Sequence, residues 1–403
     1  MIVAEDMYKL GSQRSAIREL FEYGKKRAAE VGAENVYDFS LGNPTVPAPD
    51  CVNETVRELT HTLDSISLHG YTSAQGDAET RQAIADYLNK TYKTSFKADN
   101  FYMTMGAAAS LSLCFKALTT SPEDEFITIA PFFPEYRVFV EANGANLVVV
   151  PPHTSDFQID FDALEKAISK HTKGVIINSP NNPSGVVYSE ETIKKLAVLL
   201  EKKSKENGHP VFIIADEPYR EIAYDGVDVP YVTKYYDNTL VCYSYSKSLS
   251  LPGERIGFIA TDNDIDDFND VWAGLRGASG DLANVCAPTL FQMVVERCVD
   301  VAPNIADYVH NRQILREAFG KIGYTFADPS GAFYLFFKAP FGITAEEFMD
   351  LAIEHHVFVV PAGSFGCPEW LRLSFCVSRQ TVEDSIPLFA KLYDEAKTLA
   401  EKK

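Results

Sequence analysis

The sequence lacks the features that mark exported, membrane-spanning and nucleic-acid-binding proteins. Its opening segment, MIVAEDMYKLG, has acidic residues where a signal peptide needs a basic patch and then an apolar run, and no later stretch approaches ~18 uninterrupted apolar residues. Basic residues are outnumbered 37 to 56 by acidic ones, and the net charge of -19 disfavours polyanionic partners. We therefore expect a cytoplasmic protein that binds neither nucleic acid nor membrane, although a few local cations can still hold a small anion.

Cysteine is present without a recognisable pattern. The seven cysteines are odd in number, widely scattered and never in C-x-x-C spacing. The sequence therefore suggests neither a disulfide framework nor a zinc site, and we expect no bound metal. Several cysteines fall in apolar runs, where a reduced thiol serves as a small core residue.

The apolar runs indicate an α/β fold. With 403 residues and 46% apolar content, the chain is long enough for two domains. Seven β-prone runs alternate with helical patterns, and because they are continuously apolar they predict a mainly parallel sheet sandwiched by helices. In chain order these runs are FYMTM, FITIA, LVVV, GVIINS, VFIIAD, TLVCYS and RIGFIAT.

The two ends of the chain follow a different pattern. An amphipathic helix is predicted over residues 12–31, with serines as N-cap candidates. After residue 300 come a long helix, the run GAFYLFFK, a helix from Thr344, the runs VFVVP and WLRLSFCV, and a charged terminal helix. We predict a large domain over residues 48–300 and a smaller α+β domain formed by residues 1–47 and 301–403.

The segment SYSKSLSLPGERIG, residues 244–257, has the most informative pattern. Lys247 directly follows a predicted buried strand, where desolvation lowers the pKa of an ammonium group and makes the amine a nucleophile towards aldehydes. An ordinary solvated loop lysine is the alternative. The pattern around it consists of Ser244, Ser246, Gly253, Arg255 and Gly257.

This segment resembles the lysine signature of the class I/II aminotransferases, which use pyridoxal 5'-phosphate (PLP) and belong to the aspartate aminotransferase superfamily, fold type I. The resemblance covers roughly residues 36–376. It implies that Lys247 holds PLP as a Schiff base and shuttles a proton while an amino group passes from an L-amino acid to a 2-oxo acid. It also implies that Ser244, Ser246 and Arg255 bind the cofactor, with Ser244 and Arg255 on its phosphate.

The segment GAAAS opens a helix after the FYMTM run and fits a phosphate-binding helix N-terminus. Taken alone, small residues at a helix start are usually a packing feature. The resemblance implies that the backbone of Gly106, Ala107 and Ala108 binds the cofactor. Relatives commonly have an acidic or amide residue in place of Ala109, so only the backbone contacts are carried over.

Two further segments match the family at strand ends. FITIAPFFPEY places Phe132 and Phe133 after a strand, and we assign Phe133 as the ring stacked on the pyridine, with a plain core phenylalanine as the alternative. NSPNNPSG is first of all a turn. Its resemblance to the family's N-P-T/S-G motif implies that Asn182 donates to the phenolic oxygen O3′ of PLP and borders the substrate.

Asp216 ends the apolar run VFIIAD, where a buried carboxylate needs a cationic partner. A helix or loop cap is the alternative role. The resemblance to the family's D-E-x-Y motif implies that Asp216 keeps the pyridine nitrogen of PLP protonated, and that Tyr219 shares the contact to O3′ with Asn182. The predicted catalytic residues are therefore Lys247, Asp216 and Tyr219.

Other positions are assigned to the substrate and to a second subunit. Arg372 lies in the run WLRLSFCV and needs an anion, either a structural salt-bridge partner or, as the resemblance implies, the substrate α-carboxylate. Gly42 and Asn43 resemble the family's glycine-containing loop over the substrate. Tyr71 in GYTSAQG matches a residue that reaches the phosphate of the neighbouring subunit, which implies a homodimer with shared active sites.

Other functions fit the sequence less well. The absence of G-x-G-x-x-G after the early strands argues against a dehydrogenase, and there is no P-loop. A class I aldolase forms its imine without a cofactor and would not need residues around a phosphopyridine. A regulator that only binds PLP is disfavoured because the sequence shows no DNA-binding segment. A PLP-dependent C–S lyase, another β-eliminating enzyme, a racemase or a decarboxylase stays open, because substrate placement decides which bond breaks.

The substrates are less well determined by the sequence. We predict 2-oxoglutarate or pyruvate as the acceptor and a common amino acid such as aspartate as the donor. An acidic donor needs a second cation for its side-chain carboxylate, and Arg276 is a candidate because it lies near the lysine segment in sequence.

Overall fold

The computed structural model describes residues 2–12 and 16–403. Its helices are α1 (Glu5–Ser12), α2 (Ala16–Val31), α3 (Asp50–Thr62), α4 (Ser65–His69), α5 (Ala78–Tyr92), α6 (Ala107–Leu118), α7 (Glu135–Ala142), α8 (Phe161–Ala167), α9 (Glu190–Asn207), α10 (Tyr245–Ser248), α11 (Phe268–Asp281), α12 (Thr289–Cys298), α13 (Ala306–Ile322), α14 (Ala345–Glu354) and α15 (Arg379–Glu401). Its strands are β1 (Tyr37–Asp38), β2 (Phe101–Thr104), β3 (Glu125–Ile129), β4 (Asn146–Val150), β5 (Thr172–Asn178), β6 (Phe212–Asp216), β7 (Thr239–Ser244), β8 (Gly257–Ala260), β9 (Phe326–Ala327), β10 (Tyr334–Lys338), β11 (Val357–Phe358), β12 (Val360–Pro361) and β13 (Trp370–Ser374). Over these described residues, no helix is long and apolar enough to cross a membrane.

Seven strands form one sheet in the order β2-β8-β7-β6-β5-β3-β4. Strand β8 runs antiparallel to both of its neighbours, and the other pairs are parallel. Consecutive residues of β6 face opposite sides: Ile213 packs in one apolar cluster with α5, α9 and α12, and Ile214 in another with α6 and α11. The continuous apolar runs arise because helices cover both faces, and the predicted α/β fold with a mainly parallel sheet is confirmed.

Local sequence signals set several helix ends. The side chain of Ser189 accepts a hydrogen bond from the backbone of Thr192 at the start of α9, which ends at Gly208 in the left-handed conformation. Thr344 and Glu347 form a reciprocal capping box at the start of α14. These caps satisfy backbone groups that a helix end otherwise leaves unpaired.

A second sheet, in the order β12-β13-β10-β9, is antiparallel throughout. The short strand β1 pairs in parallel with β11, so the N-terminal segment joins the C-terminal part of the chain through backbone hydrogen bonds. This pairing supports the smaller domain predicted from residues 1–47 and 301–403, whose boundaries stay a proposal.

The helix predicted over residues 12–31 is found as α2, and Leu20 on it is buried. Ser12 as its N-cap is wrong. It is the last residue of α1, where its hydroxyl donates to the carbonyl of Lys9 three residues earlier. Ser15, the other serine of this segment, lies outside the described residues.

Candidate active site

The carboxyl ends of β2, β5, β6 and β7 lie at one edge of the large sheet, because these strands point the same way. Antiparallel β8 starts at this edge with Gly257, two residues after Arg255. Gly106 follows β2, Asp216 ends β6, and Ser244 ends β7. The topology therefore brings together segments that are far apart in sequence.

A cavity at this edge is lined by most of the predicted site residues, which are Gly42, Ala107, Ala108, Phe133, Asn182, Asp216, Tyr219, Ser244, Ser246, Lys247, Arg255 and Arg372. Gly106 lies directly behind the wall, since a Cβ atom on it would lie 2.8 Å from Nη2 of Arg255. Two residues predicted from family motifs, Asn43 and Tyr71, do not line the cavity. Asn43 is exposed, and Tyr71 is 88% exposed in a separate surface groove.

Lys247 lies on α10, immediately after β7, and its Nζ donates to the carbonyl oxygen of Gly42 at 2.7 Å. Burial of the amine, together with the nearby cations Arg372 and Arg255, lowers the pKa of Lys247 to about 8. A substantial neutral fraction therefore exists near neutral pH, as a nucleophile for an aldehyde requires. The alternative of a solvated loop lysine is wrong.

One carboxylate oxygen of Asp216 has a hydrogen-bond partner, and the other has none among the described residues. Its Oδ2 accepts a hydrogen bond of 2.5 Å from the hydroxyl of buried Tyr136, whereas its Oδ1 has no partner among the described residues. Burial raises the pKa of Asp216 to about 7, and the hydrogen bond from Tyr136 opposes this rise. Since no backbone N–H from the described residues binds this carboxylate, the cap alternative is wrong.

Sequence reasoning did not find Tyr136. It lies on the first turn of α7, three residues after Phe133, and the two rings meet edge to face at 5.7 Å between centroids. Phe133 lies two residues before the start of α7, outside the helix, so helical periodicity offered no signal for Tyr136. Phe133 lines the cavity, whereas Phe132 is buried in the core.

The turn after β5 is held against the end of β6. The backbone N–H of Asn182 donates to Oδ1 of Asn178 at 2.7 Å, and Nδ2 of Asn178 donates to the carbonyl of Asp216 at 2.8 Å. These two bonds fix the position of the turn, because a buried amide with both ends engaged has little freedom.

Several donors converge between β7 and α6. The hydroxyls of Ser244 and Ser246 are 2.6 Å apart, and Gly106, the N-cap residue of α6, provides no side-chain cap. The guanidinium of Arg255 donates to the carbonyls of Pro252 and Met105, and no carboxylate of the described chain pairs with it. Free helix N–H groups, two hydroxyls and an unpaired cation form an arrangement suited to phosphate.

Arg372 is buried on β13 without an acidic partner in the described part of the chain. Its Nη1 donates to Oδ1 of Asn182 at 3.2 Å and its Nη2 to the carbonyl of Ser40, while its Nε has no acceptor among residues 2–12 and 16–403. Burial lowers the pKa of Arg372. The salt-bridge alternative is wrong, and the guanidinium keeps a donor for an added anion.

The cavity is also lined by residues that the sequence did not assign to the site. They include Ile17, Arg18, Leu41, Leu111, Glu135, Phe139 and Tyr334. Arg276, the predicted second cation, is exposed on α11 and does not line the cavity. The position of α2 over the sheet edge, which brings Arg18 to the rim, depends on tertiary packing and has no local sequence signal.

The sequence also matches a known protein family. A sequence model described as aminotransferase class I and II matches residues 34–386 of the chain. The chain belongs to this family. The aminotransferase is 30% identical to a probable N-acetyl-LL-diaminopimelate aminotransferase of Bacillus subtilis, with 88% of both chains covered. It is 29% identical to an aspartate aminotransferase of Thermotoga maritima, covering 90% of this chain and 92% of the relative.

Solved structures agree with this membership. A crystal structure of an aminotransferase from Eubacterium rectale is 62% identical, with a TM-score of 0.96 over 98% of this chain and 99% of the other. The aspartate aminotransferase structure from Thermotoga maritima is 27% identical, with a TM-score of 0.85 over 97% of this chain and 100% of the other. The enzyme is therefore an amino-group transferase with the fold of aspartate aminotransferases.

Proposed function

We propose that this aminotransferase binds PLP as a Schiff base on Lys247 and transfers the amino group of an L-amino acid to a 2-oxo acid. The proposal rests on one observation. A single cavity is lined by an amine with a lowered pKa, a carboxylate with a free oxygen and a buried guanidinium with a free Nε. Each of these groups lacks a partner of the kind that PLP or an amino acid supplies.

The residues fit the parts of the cofactor. The unpaired Oδ1 of Asp216 is an acceptor for the protonated pyridine nitrogen. Ser244, Ser246, Arg255 and the N-terminus of α6 would hold the phosphate. Phe133 would stack on the ring, and Asn182 and Tyr219 would donate to O3′.

PLP, when bound, supplies an electron sink for the substrate α-carbon. The chain supplies the remaining functions. Asp216 keeps a proton on the ring nitrogen, because an ionised carboxylate in this buried place is stable only beside a cation. Lys247 moves a proton to and from the α-carbon as general acid and base. Arg372 binds the α-carboxylate as a planar fork and so orients the substrate.

A cavity lined by the cations Arg18, Lys247, Arg255 and Arg372 favours anionic substrates. We propose 2-oxoglutarate or pyruvate as acceptor and an acidic donor such as aspartate. Aspartate also occurs in the names of relatives.

We further propose a homodimer in which Tyr71 reaches the partner's cofactor phosphate. Tyr71 lies outside the cavity of its own chain and is 88% exposed, and the neighbouring Ile66 is 83% exposed. Exposed apolar side chains of this size are typical of a surface that a second protein covers.

The first test is chemical labelling. The purified protein is reconstituted with PLP, reduced with borohydride and digested, and the labelled peptide is sequenced. We expect the label on Lys247, no label in Lys247→Ala, and normal labelling in a Lys321→Ala control, whose side chain is 80% exposed. A label on another lysine, or none, would falsify the proposal.

The second test concerns the reaction and the dimer. Amino acid and 2-oxo acid pairs are screened for a new amino acid, and release of ammonia and pyruvate instead would favour a lyase. For the dimer, inactive Lys247→Ala and Tyr71→Ala proteins are mixed after unfolding. One site of each hybrid dimer then has both native residues, so activity should return on mixing. Persistent inactivity contradicts shared sites.

A further inference from the structure

The smaller sheet contributes a buried tyrosine to the cavity. Tyr334, the first residue of β10, is 2% exposed and lines the cavity wall. Its hydroxyl lies 2.7 Å from the hydroxyl of Tyr219, and either oxygen can be the donor. The two rings meet edge to face at 5.7 Å between centroids. This pair connects a residue of the smaller sheet to one that follows β6 of the large sheet.

The same ring also contacts the residue assigned to the substrate carboxylate. The guanidinium carbon of Arg372 lies 5.0 Å from the centroid of the Tyr334 ring. The Gly42 loop packs over the hydroxyl, since a Cβ atom at Gly42 would lie 2.2 Å from it. Tyr334 is therefore held from three sides, and its hydroxyl has little freedom to leave Tyr219.

The direction of the hydrogen bond follows from the number of protons. A tyrosine hydroxyl has one proton to donate. If Tyr219 donates that proton to O3′ of PLP, its oxygen can only accept from Tyr334, so Tyr334 must be the donor of the pair. Burial raises the pKa of Tyr334 to about 12 and that of Tyr219 well above 10, so both protons are present at neutral pH.

We propose that Tyr334 is a positioning residue that donates to Tyr219, directs the proton of Tyr219 towards O3′, and supports Arg372 with the face of its ring. The inference rests on the proposed function. Donation from Tyr334 polarises the Tyr219 hydroxyl and strengthens its bond to O3′, because hydrogen bonds in a chain reinforce one another.

The test separates the hydroxyl of Tyr334 from its ring. The PLP-loaded enzyme is titrated with acid and base, and the pH midpoint of the change in visible absorbance of bound PLP is measured. In Tyr334→Phe, the negative charge on O3′ of PLP is stabilised less. The proton shared between O3′ and the Lys247 nitrogen is therefore held more tightly and is released at a higher pH. We expect the midpoint to rise by about 0.5–1 pH unit, the equivalent of one neutral hydrogen bond.

A double-mutant cycle tests whether Tyr334 acts through Tyr219. Tyr219→Phe should raise the midpoint further than Tyr334→Phe, and the double variant should match Tyr219→Phe alone, because Tyr334 acts through Tyr219. Tyr324→Phe is the matched control. Its hydroxyl is also buried in the smaller domain, donates to the carbonyl of Phe389 and does not line the cavity. It should leave the midpoint unchanged.

The ring is tested by substrate affinity. Tyr334→Phe keeps the ring over Arg372 and should change KM for the amino donor less than about 3-fold, whereas Tyr334→Leu should raise KM about 5-fold or more. An unshifted midpoint in Tyr334→Phe, or additive shifts in the double variant, overturns the inference. Borohydride labelling at Lys247 in that same protein shows that the proposed function survives, so the two failures are distinguishable.

Discussion

The floor and the wall of the cavity bury charge in different ways. The floor, at the edge of the large sheet, has Asp216 and Lys247, whose pKa values move to about 7 and about 8. The wall, on the smaller sheet, has Arg372, which keeps its charge between two aromatic rings. Floor groups can therefore change protonation near neutral pH, whereas the wall group offers a fixed charge and a fixed geometry.

The largest effect is expected for Lys247 on the cavity floor. Lys247→Ala should lower kcat about 10³-fold or more, because the variant loses both the covalent attachment and the proton carrier. Noncovalent PLP binding should persist, since the residues proposed to hold the phosphate are other ones. Steady-state kinetics and cofactor titration check this. Wild-type transfer rates in this variant would remove Lys247 from the mechanism.

The next largest effect is expected for Arg372 on the cavity wall. Arg372→Ala should lower kcat/KM for amino donors about 10²-fold, mainly through KM, because it removes a charged fork at the carboxylate. The absorbance of bound PLP should stay as in the wild type. Arg372→Lys, which keeps the charge without the fork, should recover only part of the loss. Kinetics unaltered by Arg372→Ala would assign this residue to structure alone.

A pH experiment sharpens the contrast. Since burial lowers the pKa of Lys247, the folded state releases its proton more readily than the unfolded chain does. In cofactor-free protein, Lys247→Met should raise the free energy of unfolding by about 3 kcal/mol at pH 7. This gain should shrink as pH rises from about 8 to 10.5, the usual lysine value.

Urea unfolding at a series of pH values measures this gain. Lys321→Met, in which an exposed lysine is replaced, is the matched control and should show no such dependence. A gain in Lys247→Met that is constant with pH would mean that its ammonium group is not penalised by burial.

The smallest effect concerns the second contact of Asp216. Tyr136→Phe removes a hydrogen bond that favours the ionised carboxylate, so PLP should bind about 5- to 10-fold more weakly. Tyr236→Phe is the control, because its buried hydroxyl donates to the carbonyl of Val211 away from the cavity. Equal cofactor affinity in the Tyr136 and Tyr236 variants would contradict the role of Tyr136.

Much of the site could be predicted because each of its short motifs follows a strand. Lys247, Asp216 and Asn182 stand where apolar runs stop, and parallel strands that stop together place such residues at one edge. Tyr136 and Tyr334 could not be found in this way. Each reads locally as a core aromatic, and only the packing of α7 and β10 brings its hydroxyl to a side chain of the candidate site.

The seven strands, the helices between them and the proposed site residues could be read from the chain, because strand periodicity, caps and motifs are local properties. The contact between Tyr136 and Asp216, the place of Arg276 outside the cavity and the approach of α2, which brings Arg18 to the cavity, come from the packing of the folded chain. These outcomes depend on how helices and sheets pack across long separations in the chain, and side-chain type along a segment does not encode that packing.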